Sequence, residues 1–133
     1  MLLPVTSCFL SFVLLAVTIL SIRVSMLRKT LKIPSGDEGN ITLRRRIQAH
    51  SNFIENTPFM LFIILVLEYI QAPTFLLIGT AVTFAISRVS HIISMGLGGK
   101  ANKLGAFLLF IAMMPQHLLF IILSIWLFIK VLF

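Results

Sequence analysis

Residues 44–59 read RRRIQAHSNFIENTPF, and the architecture turns on whether they stand inside or outside a membrane span. Three arginines open the stretch, and Gln48, His50, Asn52 and Glu55 follow. Directly after it, MLFIILVL at 60–67 is wholly apolar. Arg45, Gln48, Asn52, Glu55 and Phe59 are spaced three or four apart, so a helix places them in one stripe. The stretch is therefore the polar start of a membrane helix.

Composition supports that reading. The chain of 133 residues is 59% hydrophobic and 11% charged, with a mean hydropathy of +1.07. Soluble domains carry about 25% charged residues, so an integral membrane protein is expected. The formal net charge of +7 does not signal nucleic-acid binding. Nine of the eleven Lys and Arg residues lie in 23–46 and 100–103, in or beside the gaps between apolar runs, where topology-setting charges belong. Cys8 is the only cysteine, which leaves no internal disulfide and no metal-ligand set. VTSC at 5–8 lacks the basic region and apolar length of a signal cleavage box, so the first apolar run is read as a permanent span.

Four segments are long enough to cross a bilayer, at about 3–27, 47–70, 73–96 and 104–131, within a single domain over 1–133. Pro34, Gly36 and Gly39 break the first connection, and Asn40 or Thr42 is placed to cap the helix after it. Pro73 opens the third helix after a tight turn. The short second and third connections imply antiparallel neighbours, hence an all-α, up-down-up-down bundle. The loops at about 28–46 and 97–103 hold the basic residues, so the positive-inside rule makes them cytoplasmic and both termini non-cytoplasmic. The compact loops favour a bacterial inner membrane over the endoplasmic reticulum.

Two charged residues fall within the spans. Glu55 sits about 14 Å into the second helix from Arg46, and Arg88 about 12 Å from the turn that ends the third. Matching depths predict a Glu55–Arg88 ion pair beside a polar stripe of Ser87, His91 and Ser94, with Ser90 adjoining it. Two readings of this cluster stand: a structural lock between helices, or a site for an anionic ligand near the cytoplasmic face. The surplus of polar neighbours points to the site. Pro115 interrupts the fourth helix, where Gln116 or His117 is placed to satisfy the carbonyl that it frees. GDEGN at 36–40 lacks the spacing of a calcium loop and is read as a turn.

RRRIQAHSNFIENTPF resembles the second-helix motif of the MAPEG superfamily, the membrane-associated proteins in eicosanoid and glutathione metabolism. Arg45, Ala49, His50, Asn52, Glu55 and Pro58 fill that motif, Arg88 and His91 match a third-helix element, and GDEGN resembles the loop of the small bacterial branch. The resemblance implies a homotrimer with glutathione as co-substrate between subunits, open to the cytoplasm, and a lipophilic small molecule entering from the membrane lipids. It also implies transferase, peroxidase or isomerase chemistry, and no metal. Carried over, Arg28, Arg45, Gln48, Asn52, Glu55, Arg88, His91 and Lys103 would bind glutathione, a peptide whose two carboxylates and amine call for such a set. Ser90, Ser94 and Arg88 are the candidates for stabilising its thiolate. The third-helix tyrosine of several relatives is Met95 here, and an additional arginine is replaced by Gln48 or Ser51. The alternative is a non-catalytic trimer that binds a lipid or another anion, with Glu55–Arg88 as a structural ion pair.

Overall fold

The computed structural model describes residues 3–132. They form four long helices, α1 (Pro4–Leu31), α2 (Ile41–Tyr69), α3 (Thr74–Gly96) and α4 (Lys103–Leu132), with one 3-10 turn at Gly99–Ala101 before α4. Each of the four is long and apolar enough to span a membrane. Their outward faces carry large exposed apolar side chains, among them Leu15, Phe62, Phe75 and Phe128. Such a surface is stable in a bilayer and unstable in water.

Two helices differ from the spans predicted from hydropathy. α1 continues to Leu31 rather than 27, ending where Lys32 turns left-handed and the Ile33 amide reaches back to the Arg28 carbonyl. α2 begins at Ile41 rather than 47, because the Asn40 side chain caps it by accepting from the Leu43 amide at 2.9 Å. The three arginines 44–46 therefore stand on the first turns of a helix. Between α1 and α2 the Asp37 carboxylate accepts from Arg44 Nε at 2.5 Å and from the Gly39 amide at 2.9 Å, closing the predicted turn. Pro73 is the residue immediately before α3.

α1 packs on α2 and α3 on α4, while α2 and α3 join the two pairs. Val5 and Thr6 meet Glu68, whereas Arg46 meets the Arg23 carbonyl at 2.9 Å, so α1 and α2 run in opposite directions. The Glu68 carboxylate takes the Val5 and Thr6 amides at 2.8 and 2.7 Å and caps α1, whose own Leu3 provides no side-chain cap. α3 and α4 are held by serines that donate to backbone carbonyls: Ser87 to Ala112, and Ser94 to Gly105 at 2.6 Å. Close approach requires small residues on α4. A Cβ at Gly105 would fall 2.5 Å from the Gly99 carbonyl oxygen, so no larger residue fits without moving the turn. The main apolar core, which includes Phe9, Met60, Ile64, Phe84 and Leu123, lies toward the end away from the basic loops.

Candidate functional site

The polar side chains singled out in the sequence lie at the basic end and in the middle of the bundle. α2 divides them by face. Ala49, Phe53, Thr57, Met60, Ile64 and Leu67 form its buried ridge. The predicted stripe of Arg45, Gln48, Asn52 and Glu55 lines an open cleft of about 610 Å³, together with Ser51. α3 contributes His91 and Met95 to the same cleft, and the turn before α4 contributes Gly98, Gly99 and Lys100. Gly98 has φ of +108°, which favours glycine, and a Cβ there would rest 3.6 Å from Arg45 Nη1.

The predicted Glu55–Arg88 pair is absent from the described residues. Arg88 is 1% exposed and its bonds go to Asn52 and Ser87, while Glu55 is exposed on the cleft wall. Its Nη1 donates to the Asn52 side-chain oxygen and, at 3.3 Å, to the Asn52 carbonyl. Its Nη2 reaches Ser87 Oγ at 3.1 Å, and its guanidinium lies 5.1 Å from the centroid of the Phe84 ring. The reason is helical phase. Asn52 and Glu55 are three residues apart, about 60° around the axis, so both share the stripe but only Asn52 borders α3. A neutral amide, a hydroxyl and a ring face hold this buried cation.

A second polar link crosses the bundle. Gln116 Nε2 donates to Asn56 Oδ1 at 2.7 Å, and Asn56 Nδ2 donates to the Asn52 carbonyl at 2.9 Å. Gln116 thus serves α2 rather than the carbonyl freed by Pro115. His117 Nδ1 stands 2.6 Å from the Met113 carbonyl, a bond within α4.

The predicted site residues separate into three groups. Arg45, Gln48, Asn52, Glu55 and His91 are brought together in the cleft. Arg88, Ser90 and Ser94 are buried in the bundle, where Arg88 holds Asn52 and Ser94 holds α4. Arg28 lies outside the cleft and donates to the Gly36 carbonyl at 2.7 Å. Lys103, the exposed first residue of α4, also lies outside it. The sequence reading missed Lys100, which stands in the cleft where Lys103 was expected. Its signal was the Gly98-Gly99 pair, which folds the turn back over α2.

Four membrane-length helices enclosing a polar layer define an integral, multi-pass membrane protein. The chain belongs to the MAPEG family, which it matches over residues 5–129. Comparison with curated proteins and with solved structures gave no match.

Proposed function

We propose that this protein binds glutathione in the cleft of α2 and α3, as a homotrimer of up-down-up-down subunits in a bacterial inner membrane. The basic loops face the cytoplasm in this reading, and both termini lie outside. One observation carries it: Arg45, Gln48, Asn52, Glu55 and His91 line one cleft without an ion pair among them. Arg45 and Lys100 are matched to the carboxylates of the tripeptide, Glu55 to its ammonium group, and Gln48 and Asn52 to its amides. The cleft is open on one side. The adjacent copy supplies that wall in the trimer, and Arg28 is the cation assigned to it.

The chemistry is attack by the glutathione thiolate on a lipophilic electrophile, as a transferase, or reduction of a lipid hydroperoxide to the alcohol with two glutathiones oxidised to their disulfide. A nearby cation must lower the thiol pKa, and Arg45 and Lys100 are the cations that line the cleft. A second reading, binding without turnover, rests on Met95 standing where several relatives have a tyrosine, and on Ser94 being committed to Gly105.

Calorimetry of glutathione with detergent-purified wild type, Arg45→Ala and Glu55→Gln tests the binding. Saturable binding that both variants weaken, with folding and oligomer size unchanged, is the expected result. Folded wild type that takes up no glutathione overturns it. Thiolate absorbance of the bound ligand separates the two readings: its presence supports catalysis, and a bound neutral thiol supports the non-catalytic protein.

A further inference from the structure

Of the arginines at the basic end, Arg44 is matched by Asp37. Arg23, Arg45 and Arg46 have no carboxylate partner among the described residues, and all three line one small cavity of about 160 Å³ between α1, α2 and α3. Thr42 adds a hydroxyl, and Leu20 and Ile92 form the apolar floor. Arg46 is pinned there by its bond to the Arg23 carbonyl. Each guanidinium has five N–H donors, so most of the donors around this cavity remain for a ligand. Three like charges around one small space repel one another until an anion enters.

We propose that this cavity binds a phosphate-bearing anion between Arg23, Arg45 and Arg46, and that its usual occupant is an anionic glycerophospholipid. Guanidinium forks match phosphate oxygens in pairs, and a tetrahedral oxyanion suits the size of the space. The apolar side of the cavity favours a lipid over free phosphate. On the face of α1 that carries Arg23, Ile19 and Met26 stand one turn to either side and are more than half exposed, so acyl chains have apolar surface to follow from the headgroup. The cavity is separate from the glutathione cleft but shares Arg45 and Met95 with it.

The test uses the full chain, delipidated in detergent and examined by native mass spectrometry with phosphatidylglycerol, phosphatidylcholine and inorganic phosphate as probes. Wild type is expected to retain phosphatidylglycerol about tenfold more tightly than phosphatidylcholine. Arg23→Gln with Arg46→Gln should reduce that preference to none, while glutathione binding persists because neither residue lines the glutathione cleft. Arg23→Gln alone, an exposed side chain, serves if the double variant does not fold, and should lower the preference severalfold. Displacement of phosphatidylglycerol by inorganic phosphate would support the same phosphate chemistry with the free anion as occupant. Equal retention of both lipids together with no phosphate binding overturns the proposal, as does a folded double variant that keeps the preference.

Discussion

A guanidinium at the depth of Arg88 is tolerable because Asn52, Ser87 and the Phe84 ring surround it. Removing the cation therefore costs less than removing its acceptor. Arg88→Met leaves one amide oxygen unmatched and should cost about 1 kcal/mol, whereas Asn52→Leu takes from a buried charge its one side-chain amide acceptor and should cost about 3 kcal/mol. Thermal unfolding in detergent, followed by circular dichroism, gives the order, and the reverse ranking would refute the arrangement. Glu55 differs: it is exposed and unpaired in the subunit, so Glu55→Gln should shift stability by no more than about 0.5 kcal/mol while weakening glutathione binding. The stripe itself was legible from residue spacing. The choice between Asn52 and Glu55 as partner of Arg88 was not, because depth alone does not distinguish two residues less than a turn apart.

At the level of the helices, apolar length was readable and the ends only in part: Asn40 was a candidate cap, and it does cap α2. Residues 41–46 are too polar to register as a span, yet they are helical from Ile41, held by the Asn40 cap and by the Arg44 amide on the Asn40 carbonyl. The contact between α3 and α4 was equally hidden, since Ser87 and Ser94 donate to carbonyls that no side chain marks. Ser87→Ala or Ser94→Ala should cost about 0.6–1.7 kcal/mol each, as interhelical hydrogen bonds in membranes do. Gly105→Ala should cost about 1–3 kcal/mol through overpacking against Gly99, measured by the same melts. In the first loop, the Arg44 guanidinium and then the Gly39 amide hold the Asp37 carboxyl down to about 2. Because that pKa is depressed from its usual 3.8, the loop clip contributes fully above about pH 4 and is lost as pH falls through 2. The Gly39 amide signal in NMR should report that titration, and Asp37→Asn should abolish it.

Over the whole molecule, the described residues place an open, polar-lined cleft and a buried polar layer next to each other, joined at Asn52. Composition was enough to read the membrane, and the motif over 44–59 was enough to read the family. The division of basic residues between two cavities was not legible, because it depends on how three helices converge around Arg45. The cap on α1 bears on how the protein is made. The amides of Val5 and Thr6 wait for a carboxylate more than sixty positions further along the chain. During synthesis the first helix thus leaves the ribosome with its leading end unfinished, and its final seating follows the arrival of Glu68. The first two helices should enter the lipid as a hairpin, with the second completing the first.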